Sequence, residues 1–200
     1  MEYLNYGNLP FKIKHVCEIG TYTPNELHCN NLIQDETIKF TLIDANPNCI
    51  NLLKERFTNN ENVIILNYAI ANYTGKINLY NRWDHPDASA FIEGLPSCPA
   101  VINDAYSKNS KDIIECDCTT FDKIDTGDID ILFIDIEGAE WFVLKNMISK
   151  PKIISLETHG YKYTNPYMQN INDWVKENNY SIMYKGQTDT YYKLSKEFAS

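Results

Sequence analysis

Asp130-Ile131-Leu132-Phe133-Ile134-Asp135-Ile136-Glu137-Gly138-Ala139-Glu140 is the stretch on which the reading of this chain turns. Its first half, Asp130 to Asp135, is nearly all apolar, as expected of a strand covered on both faces. Its second half places two carboxylates, Asp135 and Glu137, directly after that strand, and Glu140 at the opening of a helix. That helix is predicted over Ala139 to Ile148, with Trp141, Leu144 and Ile148 on one face. Glu137 and Glu140 suit the positive end of a helix, but this does not account for Asp135. Burying a charge is costly unless it is compensated, so acids here point to a ligand, a proton-transfer task or a metal.

The same alternation runs outward in both directions. Strand-like runs occupy Ile13 to Ile19, Phe40 to Asp44, Asn62 to Leu66 and Lys152 to Glu157. Lys76 to Tyr80 and Asp112 to Cys116 are short additional strands, and Tyr180 to Tyr184 with Thr190 to Leu194 form a hairpin around Gly186. Helices fall between them. Thr23-Pro24-Asn25-Glu26 has the form of a capping box with Pro at the first helical position. Asn46-Pro47 repeats the device before Ile50, Leu53 and Phe57, and Ile171, Trp174 and Val175 mark another helix. Parallel strands need such crossovers, so the pattern predicts an open, doubly wound α/β sheet. In such sheets ligands sit beyond the carboxyl ends of the strands, where strand order reverses.

Those ends carry the candidate site. The first strand runs into Glu18-Ile19-Gly20-Thr21-Tyr22, where Gly20 permits a sharp turn and Glu18 can meet a cationic amine or the turn's own amides. A dinucleotide fingerprint would need three spaced glycines, and only Gly20 is present. The second strand ends at Asp44-Ala45-Asn46. A carboxylate there can accept both hydroxyls of a ribose, while Asn46 is the better helix cap. Asn67 and Tyr68, after the third strand, lie where an adenine would rest. The fifth strand ends Leu156-Glu157-Thr158-His159, so Asp135, Glu137, Glu157 and His159 should converge, and His159 can take a proton near neutral pH. The polar, aromatic segment Trp83 to Phe91, with His85, Asp87 and Ser89, is a candidate lid or acceptor pocket.

Composition narrows the function classes. At 44% hydrophobic and 22% charged residues the chain is globular rather than disordered. A net charge of -9, with no basic cluster, disfavours nucleic acid and anionic lipid as partners. No run approaches the ~20 apolar residues of a membrane span, and no secretory signal is present, so a cytoplasmic protein is expected. The six cysteines are read as small buried hydrophobes. Cys116-Asp117-Cys118 lacks the spacing of a zinc knuckle.

Taken in order, Glu-Ile-Gly at 18–20, Ile-Asp-Ala-Asn-Pro at 43–47, Asn-Tyr-Ala-Ile-Ala-Asn-Tyr-Thr-Gly at 67–75, Cys-Thr-Thr-Phe-Asp at 118–122, Ile-Asp-Ile-Glu-Gly-Ala-Glu-Trp-Phe-Val-Leu-Lys at 134–145 and Ile-Ser-Leu-Glu-Thr-His at 154–159 resemble the FkbM family of methyltransferases. The resemblance implies a Rossmann-like class I methyltransferase fold. Its sheet is open, mostly parallel and seven-stranded, with helices on both faces and a C-terminal antiparallel hairpin, in one domain over residues 1–200. It implies S-adenosylmethionine as methyl donor and an oxygen acceptor on a sugar, glycan or small metabolite. The cofactor set is Glu18, Gly20, Thr21, Tyr22, Asp44, Ala45, Asn67, Tyr68 and Asp135. The catalytic set is Asp135, Glu137 and His159, and the acceptor set is His85, Asp87, Ser89 and Glu157. The family's first motif is usually Asp-x-Gly-Ala-Asn, whereas this chain has Glu-Ile-Gly-Thr-Tyr. A metal-free transfer is preferred to one in which the same acids hold Mg or Ca. The alternatives are a degenerate, non-catalytic binding module and a nicotinamide oxidoreductase, the latter disfavoured by the missing glycines.

Overall fold

The computed structural model describes residues 6–80, 113–160 and 163–198. Its centre is a seven-stranded sheet: β1 (His15–Ile19), β2 (Lys39–Asp44), β3 (Val63–Asn67), β7 (Ile131–Ile134), β8 (Ile153–Glu157), β11 (Tyr180–Lys185) and β12 (Asp189–Leu194). The strand order is β11-β12-β8-β7-β1-β2-β3, or 3-2-1-4-5-7-6 when these seven are numbered among themselves. β12 alone runs antiparallel to its neighbours and makes the C-terminal hairpin with β11. Strand order reverses between β1 and β7, which pair in parallel from Val16↔Ile131 to Ile19↔Ile134. Their carboxyl ends therefore define the crevice.

The period-2 alternation of the strands sorts their side chains onto two faces. Val16, Phe40, Leu42, Ile131, Phe133, Ile153 and Tyr191 point to one core, with Ile50 and Leu53 of α1 (Pro47–Arg56). Cys17, Ile19, Ile43, Leu132, Ile134, Ile154, Leu156 and Tyr192 point to the other. That second core takes Val143 and Leu144 of α2 (Glu140–Leu144) and Ile171 of α3 (Met168–Glu177). Helices thus cover both faces. α1 begins as its sequence predicts, with the Asn46 side chain accepting from the Asn48 amide and Pro47 in the first turn. β4 (Ala69–Ile70), β5 (Gly75–Tyr80) and β6 (Ile113–Thr119) form a separate small sheet in which Cys116 and Cys118 are buried. The two short strands read from the sequence are thus partners of one another. β9 (His159–Gly160) and β10 (Tyr163–Thr164) make a two-stranded excursion between β8 and α3.

Two expectations fail. The helix predicted from Thr23 is a series of tight turns, with bonds such as Glu26 N–H to the Thr23 carbonyl at 3.0 Å and Leu32 N–H to the Cys29 carbonyl at 2.8 Å. The amides of His28 and Cys29, which a helix would have bonded four residues back, are instead taken by the Glu18 carboxylate. The helix predicted over Ala139 to Ile148 stops at Leu144. Beyond it the Asp125 carboxylate captures the amides of Ile148 and Ser149, both at 2.7 Å, and Ile148 is left 57% exposed rather than on a buried face.

Candidate active site

At the ends of β1 and β2 the backbone is drawn inward. Gly20 lies at φ +85, and a Cβ there would stand 1.6 Å from the Asp135 carbonyl oxygen. Only glycine lets β1 end this close to β7. Asp135 N–H bonds to the Ile19 carbonyl and Gly20 N–H to the Ile43 carbonyl, each at 2.9 Å. Glu18 is buried and accepts from the amides of His28 at 2.8 Å and Cys29 at 3.0 Å. Of the two roles open to it in the sequence, the turn's own amides are the one observed. Burial still pushes its carboxyl up.

Asp44 closes the turn from the other side. Its Oδ2 accepts from Tyr22 N–H at 2.8 Å and the Thr21 hydroxyl at 3.3 Å, and its Oδ1 from Asn46 N–H at 2.8 Å. Burial pushes it up to about 6 despite these bonds. Tyr22 sits at φ 51, a left-handed conformation that turns the chain back over Asp44. Asn67 donates to the carbonyls of Asp44 at 2.9 Å and Ala45 at 3.1 Å. Its side chain thus braces the end of β2. Tyr68, 38% exposed, follows it at the surface.

The ends of β7 and β8 are built differently. Asp135, Glu137 and Glu157 are each half-buried, and one carboxylate oxygen from each lies within 4.8 Å of the others. Glu137 is held at φ 56, left-handed and costly for a residue with a side chain. Asp189 is the cross-strand partner of Glu157 on the neighbouring β12. Glu157 Oε2 and Asp189 Oδ1 are buried atoms that find no hydrogen-bond partner among the described residues. No lysine or arginine among the described residues forms an ion pair with Asp135 or Glu157. Burial, then the neighbouring Glu137, holds Asp135 well above the usual carboxylate range; burial, then Asp135, does the same to Glu157. Such a pair keeps a proton at pH values where free carboxyls have lost theirs. The arrangement suits a cationic ligand, a proton acceptor or a divalent cation.

His159 is not one of this group. Its Nε2 lies 3.1 Å from the Gly186 carbonyl, which can only accept, so Nε2 carries the hydrogen. Nδ1 then accepts from the Thr158 hydroxyl at 2.7 Å. Glu140 opens α2 as expected, and it is fully buried and accepts from the amides of Ile136 and Gly138. Asp189 and Asn165 were missed in the sequence. Asp189 directly precedes the strand read as Thr190 to Leu194, and β12 begins at it. Asn165-Pro166 repeats the Asn46-Pro47 signal and could have been read as a second turn device. His85, Asp87 and Ser89 lie outside the described residues.

The strand order, with one antiparallel strand and helices on both faces, defines a Rossmann-like α/β fold. Residues 18–182 match the family described as the methyltransferase FkbM domain, and the chain belongs to that family. The family's methyl donor, S-adenosylmethionine, is the cofactor of this chain. Among solved structures, it is similar to TrmK of M. capricolum in complex with S-adenosylhomocysteine, at 15% identity and TM-score 0.43, covering 91% of this chain and 61% of that one. It is also similar to a SAM-dependent methyltransferase from Aquifex aeolicus, at 12% identity and TM-score 0.46, covering 90% and 82%. A third is a putative O-methyltransferase from Klebsiella pneumoniae, at 13% identity and TM-score 0.39, covering 90% and 73%. No curated protein matches the sequence significantly. No helix among the described residues is long and apolar enough to cross a membrane.

The residues present fit this donor. Glu157 Oε2 and Asp189 Oδ1, near Asp135, are buried without a hydrogen-bond partner among the described residues, and a sulfonium or ammonium would supply a counter-charge there.

Proposed function

We propose that this chain, acting as one cytoplasmic domain over residues 1–200, methylates a hydroxyl oxygen on a sugar, glycan or small hydroxylated metabolite. The observation that carries this reading is the carboxylate group of Asp135, Glu137 and Glu157 at the carboxyl ends of β7 and β8, with Glu157 Oε2 and the neighbouring Asp189 Oδ1 buried and without a hydrogen-bond partner among the described residues. When bound, S-adenosylmethionine supplies a methyl group already activated on a cationic sulfonium. The protein's part is then to hold the acceptor in line, exclude water and take up a proton. Asp44 would hold the ribose, with Glu18, Gly20, Thr21, Tyr22 and Ala45 shaping the turn around it. Asn67 and Tyr68 would border the adenine.

Asp135 is our proton acceptor. With Glu157 it shares one proton between two carboxyls, so one of the two is free to receive the acceptor's hydroxyl proton. Glu137, strained into the left-handed region, orients that pair. His159, with its ring nitrogens committed to Gly186 and Thr158, fixes the β12 hairpin beside Glu157. The acceptor meets Glu157 and the segment carrying His85, Asp87 and Ser89. The donor's own charge balances the acids, so we assign no metal, and EDTA should leave turnover unchanged.

Calorimetry with S-adenosylhomocysteine, followed by transfer of a labelled methyl group to a panel of sugars and hydroxylated metabolites, tests the reading. Binding plus labelled product at oxygen is expected. Absence of binding at millimolar product removes the donor site. Binding without transfer to any acceptor leaves a non-catalytic module.

A further inference from the structure

Glu140 and Asn165 meet behind the acid group, and neither belongs to it. Glu140 is fully buried, and its Oε1 accepts from Ile136 N–H at 3.0 Å and Gly138 N–H at 3.2 Å. These amides flank Glu137, the residue at φ 56. Its Oε2 accepts from the Asn165 side-chain amide. Asn165 is itself 2% exposed. Its orientation is set locally, because Tyr167 N–H donates to its Oδ1 at 2.9 Å and so leaves Nδ2 facing Glu140. The same Nδ2 lies 3.4 Å from the Glu157 carbonyl, and Asn165 N–H bonds to the Thr158 carbonyl at 3.0 Å.

One side chain therefore touches both halves of the site. Through Glu140 it holds the turn that carries Asp135 and Glu137, and through the Glu157 carbonyl it holds the end of β8. The strain at Glu137 and the like-charge crowding of the acids both favour spreading these strand ends apart. We propose that Glu140 and Asn165 form a positioning pair that clamps Asp135, Glu137 and Glu157 into one group against their mutual repulsion. Their role rests on the methyltransferase reading, since the group they assemble is the one assigned to the donor's cation and to the proton. The pair is also directional: a carboxylate must face an amide. Exchanging the two functional groups keeps the bond and reverses its sense.

The test compares E140Q, N165D and the exchanged double variant E140Q/N165D. Amide hydrogen exchange at Ile136 and Gly138 reads the clamp without any ligand, with Cys17 and Leu132 as core controls. Each single variant should speed exchange at Ile136 and Gly138 about tenfold, the loss of about one hydrogen bond to a charged group, and leave the controls unchanged. The double variant should recover most of that protection. The ratio of affinities for S-adenosylmethionine and S-adenosylhomocysteine, measured by calorimetry, reads the placement of negative charge near the sulfonium. It should fall about fivefold in each single variant and return in part in the double, which keeps the bond between positions 140 and 165 but loses the donor to the Glu157 carbonyl. Single variants that exchange like the wild type, or a double variant worse than either single, overturn the pair. Changed exchange with an unchanged affinity ratio makes it a structural staple with no positioning role. Failure of the wild type to bind either ligand counts against the methyltransferase reading, and the exchange result still decides the clamp.

Discussion

Glu18 and Asp44 close β1 and β2 much as Asp135 and Glu157 close β7 and β8, yet their surroundings treat the two pairs differently. Around the first pair the chain has folded back to donate: His28 and Cys29 to Glu18, and Thr21, Tyr22 and Asn46 to Asp44. Around the second pair Glu137 and Asp189 bring further acids, and Glu157 Oε2 and Asp189 Oδ1 go without hydrogen-bond partners among the described residues. An acid at a strand end is thus not a functional mark by itself. What separates the two regions is whether local amides have already satisfied it. A satisfied acid stabilises the fold, whereas an unsatisfied one costs stability that a ligand can return.

The strongest way to break this contrast is to pull the regions apart where they touch. Gly20→Ala places a Cβ 1.6 Å from the Asp135 carbonyl and forces φ +85 on an alanine. We expect a loss of at least about 4 kcal/mol, read as absence of a cooperative thermal transition. A stably folded variant would mean that β1 and β7 are not held together as described.

Next come the paired substitutions that should behave oppositely. Asp135→Asn should lower kcat about 100-fold with little effect on thermal stability at pH 7. Glu18→Gln turns an acceptor into a donor against two buried amides and should cost about 1–3 kcal/mol, with kcat of the folded fraction near that of the wild type. Thermal unfolding and steady-state rates on both variants decide. If Glu18→Gln stops turnover without loss of stability, the satisfied acid is functional after all.

The pH dependence follows from the same contrast. Asp44 is pushed up to about 6 and Glu140 up to about 7, and Asp135 and Glu157 are raised as well. In each case the native state holds its proton above the pH at which the unfolded chain loses it. Stability from these groups is therefore full below about pH 4 and is lost as pH rises, through 6 for Asp44 and 7 for Glu140. The melting temperature should fall between pH 5 and pH 8, and Glu140→Gln should flatten that fall. S-adenosylmethionine should flatten it too. A melting temperature that rises from pH 5 to pH 8 would show that the acids at β7 and β8 are ionised without penalty.

The difference between the regions also explains what could be read in the sequence. The strands and the Asn46 cap were legible because each depends on local periodicity or on one turn residue, whereas the place where strand order reverses is set by the distant pairing of β1 with β7. The acid group was legible as a set of strand ends. The turn from Thr23 was not, because the carboxylate that competes with helix formation lies in another element, at Glu18. The early end of α2 at Leu144 has the same cause, with Asp125 as the distant acceptor. Asn165 and Glu140 escaped for a related reason. Their partnership joins residues 25 apart through a buried side-chain bond, and no periodic pattern records it.

The smallest effect sharpens the contrast most finely. Tyr68 is 38% exposed at the end of β3, beyond the Asn67 brace. Tyr68→Ala should change stability by less than about 0.5 kcal/mol. If its ring borders the adenine, loss of the aromatic face should weaken S-adenosylhomocysteine about threefold, with kcat at saturating donor unchanged. Asp44→Asn, which keeps one acceptor oxygen, provides the comparison from β2. Weaker binding in both variants would place the nucleoside across β2 and β3, and the satisfied acids would then double as its frame. Unchanged binding in both would confine the donor to the β7 side, because a ligand that spanned the crevice would touch at least one of them.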